Sequence, residues 1–182
     1  MPGFGDPAAR LLVMGLAPAA HGANRTGRLF TGDRSGDWLF RALHRAGFAD
    51  RPESRARDDG LRLLDAYVTA AVRCAPPANH PTAAERDNCR GWLEEEYRLL
   101  TRVEVIVCLG AVAYGAALRL LAAAGVAAPH PRPRFAHGRA VETGGPLLIC
   151  SYHPSQQNTF TGRLTEEMLD AVFAGARARL RP

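Results

Sequence analysis

Three polar segments hold the side chains in this sequence that could do chemistry. The first, Gly15 to Asp33, reads GLAPAAHGANRTGRLFTGD and contains four glycines and two arginines. Glycine lets a backbone approach a ligand closely, and amides freed in this way can contact a phosphate or a carbonyl oxygen. The segment fits neither a phosphate-binding P-loop nor a dinucleotide fingerprint. Phe30 stands among polar neighbours and reads either as a stacking platform for a planar ligand or as a buried anchor for the loop. Asp33 reads either as a reactive carboxylate or as a cap for the helix opening near Ser35.

The second segment, Arg73 to Thr82, reads RCAPPANHPT. Two adjacent prolines stiffen it, and Asn79 presents a donor and an acceptor on one planar amide. That pair suits the edge of a nucleobase, and it equally suits an ordinary turn. The third, Ser151 to Thr165, reads SYHPSQQNTFTGRLT. There His153 precedes Pro154, and an imidazole N–H at that point could stabilise a developing oxyanion. The polar run Ser155, Gln156, Gln157 and Asn158 beside it suits a groove of DNA. His21, His44, His80, His130 and His137 have less specific contexts and read as surface or structural residues.

Four apolar runs and four helical patterns must position these segments. Leu11–Leu16, Tyr67–Val72, Val103–Leu109 and Leu147–Tyr152 are short, Leu-rich or β-branched, and bounded by turn-forming residues, as buried strands are. Ser35 is placed to cap a helix whose stripe is Trp38, Leu39, Ala42, Leu43 and Ala46, ending at Gly47. Thr82 and Glu85 form a capping box for a helix reaching about Leu100. An Ala-rich helix runs from Gly110 to about Ala124. A last helix buries Leu164, Met168, Leu169, Val172, Phe173 and Ala176. Ala127–Arg134 is a Pro-rich loop.

The expected fold is α/β: one domain over residues 1–182, a three-layer αβα sandwich around a central, mainly parallel four-stranded sheet. In such sheets ligands bind at the carboxyl ends of the strands. The three polar segments follow the first, second and fourth strands, so they are expected to converge on one site.

Composition narrows the partners. The 182 residues are 47% hydrophobic, which supports a sizeable core and excludes a disordered chain. No run is long enough for a membrane span. The opening Met1-Pro-Gly-Phe-Gly-Asp has neither the basic nor the apolar region of a signal peptide, so a cytosolic, reducing location is expected. Net charge is +5, and all 23 basic residues are arginine. A basic balance fits a polyanion, and arginine's planar fork suits phosphate, although a codon bias toward Arg and Ala would give the same count. The four cysteines are not read as disulfides. Cys108 and Cys150 lie in apolar runs and read as core residues.

Taken together, the three segments resemble the uracil-DNA glycosylase superfamily, most closely its type-B branch, also called family five. The opening PGFGD, the TAAVRCAPPAN stretch and the phrase HPTAAERDNC share the resemblance, which extends from about residue 2 to the last helix. It implies an enzyme that removes uracil from DNA by flipping the base out and hydrolysing the N-glycosidic bond. Asp33 then matches the catalytic carboxylate, Asn79 the active-site amide, and His153 the histidine facing the uracil O2. Phe30 matches the aromatic residue that stacks on the flipped base, and Gln156, Gln157 and Asn158 match the loop that enters the duplex. Gly15, Ala17 and Asn24 complete the implied substrate-binding set. Leu16 and Ala17 are apolar where other branches place a polar, water-activating residue, and the type-B branch is associated with a wider range of bases, including hypoxanthine and modified pyrimidines.

The resemblance also implies a 4Fe-4S cluster held by four Cys thiolates. Cys74 and Cys89, with fourteen residues between them, match the second ligand pair. The family's first pair lies ahead of PGFGD, where this sequence begins, so the ligand set is incomplete; a mis-assigned start, a truncation or a branch that lost the cluster would each explain this, and the first is favoured. The implied partner is DNA containing uracil or other deaminated bases, bound by a monomer. A relative that binds uracil-containing DNA without cleaving it would need the same loops. The presence of both Asp33 and Asn79 argues for catalysis. The absence of a Walker, GxGxxG or GxSxG pattern argues against an unrelated nucleotide-binding or hydrolase domain.

Overall fold

The computed structural model describes residues 1–180. Its strands are β1 (Phe4–Gly5), β2 (Leu11–Gly15), β3 (Ala66–Ala70), β4 (Val105–Leu109), β5 (Ala140–Val141) and β6 (Leu147–Ser151). Its helices are α1 (Ala23–Thr26), α2 (Arg34–Arg45), α3 (Ala83–Leu99), α4 (Ala111–Ala123), α5 (Gln156–Phe160) and α6 (Glu166–Arg179), with one 3-10 turn at Pro77–Asn79.

The four apolar runs form the parallel centre of the sheet, β3-β2-β4-β6. The expected count of four strands is corrected to six, because β1 and β5 add an antiparallel strand at each edge. Each edge strand is two residues long, too short to show a period of two.

Alternation along the strands divides the core into two layers. Leu11, Val13, Val105, Val107 and Ile149 pack against Leu39, Leu43, Leu169 and Phe173 of α2 and α6. Leu12, Met14, Ile106, Cys108 and Leu148 pack against Leu93, Ala113 and Leu120 of α3 and α4. Every residue of β2, β4 and β6 is buried, which explains why these runs read as continuous rather than alternating. The result is the expected three-layer αβα arrangement. Among the described residues, no helix is long and apolar enough to cross a membrane.

Register brings the strand ends level. Gly15 pairs with Ala70, Met14 with Cys108, and Leu109 with Ser151. The connections leaving β2, β3 and β6 therefore emerge at one edge. From β2 the chain moves to β3 on one side, and it then returns to place β4 on the other. This reversal opens a crevice at the carboxyl edge.

Two caps bear directly on that edge. Thr82 and Glu85 make the expected capping box of α3. The cap of α2 is a correction: Asp33, not Ser35, accepts the Gly36 amide, at 3.0 Å, and Ser35 lies inside the helix.

Candidate functional site

The three polar segments meet around a cleft of about 480 Å³ at the carboxyl edge of the sheet. Phe30, Asp33, Asn79 and His153 line it together, with Ala17 and Gln157. The loop after β2, the turn after β3 and the segment after β6 each contribute.

Phe30 is the loop's buried anchor, and it also lines the cleft. Only 8% of it is exposed, so it anchors the loop in the core, while its free edge faces the cleft. Its φ of +53° is a left-handed conformation, costly for a bulky residue and tolerated where the surroundings over-determine it. Gly15 is one determinant. A Cβ there would meet the Phe30 ring at 2.6 Å, so only glycine leaves room for it. His153 is another, its ring stacked on Phe30 at 5.8 Å between centroids and 30° between planes.

A buried clamp fixes the same loop from behind. Arg28 donates to Ser54 Oγ at 2.9 Å, Asp59 Oδ1 at 2.7 Å and the Arg57 carbonyl at 2.6 Å. The Thr31 and Ser54 hydroxyls pair at 2.7 Å. Burial works to raise the pKa of Asp59, but amides of Arg55, Leu61 and Ala56 and the Arg28 guanidinium outweigh it and hold the carboxyl well below the usual range. Asp33 then leaves the loop as the cap of α2, with its carboxylate at the cleft wall.

Asn79 sits at the end of the 3-10 turn, behind Pro76 and Pro77, and it is exposed to the cleft. Both Ala78 and Asn79 are left-handed, with φ of +51° and +58°. Asparagine tolerates this conformation and alanine does so at a cost. The strand feeding this turn is secured on its far side. Glu96 accepts from Gly3 N at 2.9 Å, Tyr67 Oη at 3.1 Å and Arg73 Nη1 at 3.1 Å, and also from the Thr69 hydroxyl. Burial, reinforced by Glu96, pushes the Tyr67 phenol up to about 12.

His153 shows part of its surface to the cleft, yet protein atoms crowd its ring. That desolvation lowers its pKa to about 4, against the opposing pull of Asp33. The imidazole is therefore neutral near pH 7 and available as an N–H donor. Its backbone is fixed by Asn158, whose Nδ2 donates to the His153 carbonyl at 2.8 Å.

The remaining implied residues fall in different places. Asn158 supports His153 from α5, and Gln156 is exposed at the start of that helix. Gly15 stands behind Phe30 rather than in the cleft. Asn24 is exposed on α1 and does not line the cleft. Leu16, Ala19, Ser35, Ala78, His80 and Ser155 do line it. His80, read from sequence as surface or structural, is thus part of the cleft. Its position directly after Asn79 was the signal available.

The cysteines divide into two pairs. Cys108 and Cys150 are buried cross-strand partners. Burial raises the Cys150 thiol to about 11 and the Cys108 thiol well above its ordinary value, so neither is a ready thiolate ligand. Cys74 is exposed, and Cys89 is half-buried with its Sγ accepting from the Arg73 amide at 3.4 Å. Among the described residues, no group of three or more His, Cys, Asp or Glu side chains could hold a metal ion. A four-thiolate cluster therefore does not fit the ligands that residues 1–180 bring together.

Comparison with known proteins agrees with this geometry. Residues 2–177 match the Uracil DNA glycosylase superfamily. The chain is 56% identical to a type-5 uracil-DNA glycosylase of Mycobacterium bovis, covering 97% of this chain and 65% of the relative. It is 53% identical to the protein of that name from Thermus thermophilus, over 97% of this chain and 78% of the relative. It is 48% identical to the one from Pyrobaculum aerophilum, over 98% and 75%. The chain thus spans just under two thirds of the length of the mycobacterial relative. With the match running almost from end to end, the chain belongs to the uracil DNA glycosylase superfamily.

Proposed function

We propose that this protein is a monofunctional type-5 uracil-DNA glycosylase that excises uracil from DNA in base excision repair. The observation that carries the proposal is the single cleft in which a stacking ring, a carboxylate, a planar amide and a neutral imidazole meet. Three relatives of 48–56% identity bear the type-5 name.

The cleft's chemistry suits a base that leaves as an anion. A paired uracil must first be flipped out of the stack. Phe30 then supports its face, and Asn79 reads its polar edge. As the bond between C1′ and the base nitrogen breaks, its electron pair goes to the base. The neutral His153 N–H stabilises the charge growing on the carbonyl oxygen, and a neutral donor does not surrender its proton in doing so. Asp33 stabilises the positive sugar and orients the water whose oxygen bonds to C1′. That water leaves a hydroxyl on the sugar, and its proton neutralises the departed base.

Leu16 and Ala17 present an apolar wall, which supports tolerance for hypoxanthine and modified pyrimidines as well as uracil. The protein acts as a monomer beside DNA in the cytosol. Cys74 and Cys89 are the thiols available to a 4Fe-4S cluster, and four-thiolate ligation needs two ligands beyond those residues 1–180 supply. No step above passes through such a group.

Single-turnover release of uracil from a labelled duplex, with alkali cleavage at the abasic product, tests the proposal. Cleavage at uracil and not at thymine is expected. Tight uracil-dependent binding without cleavage would replace the enzyme with a non-catalytic uracil-DNA-binding protein.

A further inference from the structure

His137 does not line the cleft, yet its imidazole holds the backbone one residue before His153. Its Nδ1 accepts from the Tyr152 amide at 3.0 Å. The two rings stack at 5.0 Å between centroids and 23° between planes. The antiparallel register of β5 and β6, Ala140 with Ile149 and Val141 with Leu148, runs on to set His137 opposite Tyr152. Between these positions the Arg139 carbonyl accepts from the Cys150 amide, and the Gly138 amide donates to the Cys150 carbonyl. Tyr152 is the first residue past β6, and there a side-chain nitrogen takes the place of a backbone acceptor.

The ring is in the right state for this. Burial pushes the His137 pKa below its ordinary value, against a hydrogen bond with the Met168 backbone, so near pH 7 the imidazole is neutral and Nδ1 is a bare acceptor. Met168 belongs to α6, so one ring ties the end of β6 to the helix layer. The rest of Tyr152 is secured as well. The Ser151 hydroxyl donates to its carbonyl at 2.9 Å, and Phe135 and the Arg163 guanidinium pack on its ring. The chain therefore enters His153 from a fixed point. On the far side Asn158 holds the His153 carbonyl, and Phe30 stacks on the His153 ring.

We infer that His137 is a positioning residue for His153: by fixing the Tyr152 amide and ring, it sets the direction in which the His153 N–H enters the cleft. The inference rests on the proposed glycosylase reading and adds to it a residue that touches neither base nor sugar. A donor aimed at a developing oxyanion works only within a narrow range of positions, so the residue that aims it is felt in the rate.

His137→Gln carries its acceptor one bond too far out, near where Nε2 now stands. Single-turnover release of uracil from a duplex should slow by about 10- to 100-fold, with duplex affinity within about 2-fold of the unaltered value. Release of 5-fluorouracil should be slowed at least about 5-fold less, because the fluorine stabilises the departing anion and lessens its dependence on the His153 N–H. His137→Asn places Oδ1 where Nδ1 stands and should restore most of the uracil rate. In a His153→Ala background, His137→Gln should add no further loss, as two residues acting through one group are not additive. By nuclear magnetic resonance, the proton–nitrogen signals of the His153 ring should move in His137→Gln and return in His137→Asn.

Equal slowing on both bases, or a loss that adds to that of His153→Ala, would make His137 merely structural. A Gln variant no slower than the Asn variant would show that the bond to the Tyr152 amide is dispensable. Each result overturns the inference while leaving the glycosylase intact. If the unaltered protein releases no uracil, the His153 ring signals decide alone. Movement in the Gln variant reversed in the Asn variant then supports the positioning role in a silent binder, and unmoved signals overturn it.

Discussion

Gly22 lies against the cleft-lining carboxylate of Asp33 so closely that no side chain fits between them. A Cβ built on Gly22 would stand 3.0 Å from both Cβ and Cγ of Asp33 and closer still to its Oδ2. Gly22 precedes α1, while Asp33 caps α2. The Gly-rich character of this loop therefore serves two ends: Gly15 admits the ring of Phe30, and Gly22 admits the carboxylate of Asp33.

Gly22→Ala should displace the Asp33 carboxylate. The single-turnover rate is expected to fall roughly 10- to 100-fold, because catalytic groups tolerate little misplacement. Affinity for uracil-containing duplex should stay within about 2-fold of the unaltered value, since Gly22 is buried. An unchanged rate in the variant would show that the loop relaxes around the methyl group.

Asp33 caps α2 and, in the proposed mechanism, also stabilises the sugar; substitution can separate the two. Asp33→Ala removes the α2 cap, costing about 1 kcal/mol of stability, together with the charge that the proposed mechanism sets against the sugar. Asp33→Asn keeps an acceptor for the Gly36 amide and loses only the charge. Both variants should release uracil at least 100-fold more slowly, with near-normal DNA binding. Thermal unfolding should distinguish them, with the Asn variant close to the unaltered protein and the Ala variant lower. A fast Asp33→Asn variant would reduce Asp33 to a cap.

The pKa of His153, near 4, predicts the pH dependence of both rate and stability. The neutral ring is the folded form above that value. The rate should therefore pass through pH 6.5 without a step from this group and fall only as pH approaches 4. For stability the shift is downward from 6.5, so the unfolded chain takes up the proton first. The folded state loses stability progressively as pH drops from about 6.5 to about 4. His153→Ala removes this dependence, so the unaltered protein should lose stability relative to the variant across that window. A rate profile with an inflection near 6.5, absent in His153→Ala, would contradict the neutral-imidazole assignment.

The sequence disclosed the site more fully than it disclosed the geometry that builds it. Four buried strands were legible because β2, β4 and β6 are apolar throughout, and the convergence of the three segments followed from parallel-sheet topology. The edge strands were not, since two residues carry no periodicity. The Asp33 cap was foreseen only as one of two alternatives, because the local pattern Asp33-Arg34-Ser35 offers two competent capping residues. His80 looked unspecific because its role depends on the left-handed turn at Ala78 and Asn79, which places it in the cleft. Phe160 carries no signal in the sequence, because one aromatic residue in a polar run has no pattern; its exposure and its Arg34 contact exist only in three dimensions.

The least visible support for the site is Glu96, far along α3 from any polar segment. It receives hydrogen bonds from Gly3, Tyr67, Thr69 and Arg73, and neither it nor Arg73 is more than 13% exposed. Glu96→Ala would leave the Arg73 cation buried without its counter-charge, and breaking a buried pair in this way costs roughly 3 to 5 kcal/mol. The urea midpoint should fall accordingly. Glu96→Gln keeps the volume and the acceptor oxygen and should lose less. Because Arg73 begins the segment that carries Asn79, residual excision by folded Glu96→Ala at low temperature should be slowed, with DNA affinity retained. If the variant keeps full stability, Arg73 has found another partner and the network around Glu96 does not hold the end of β3.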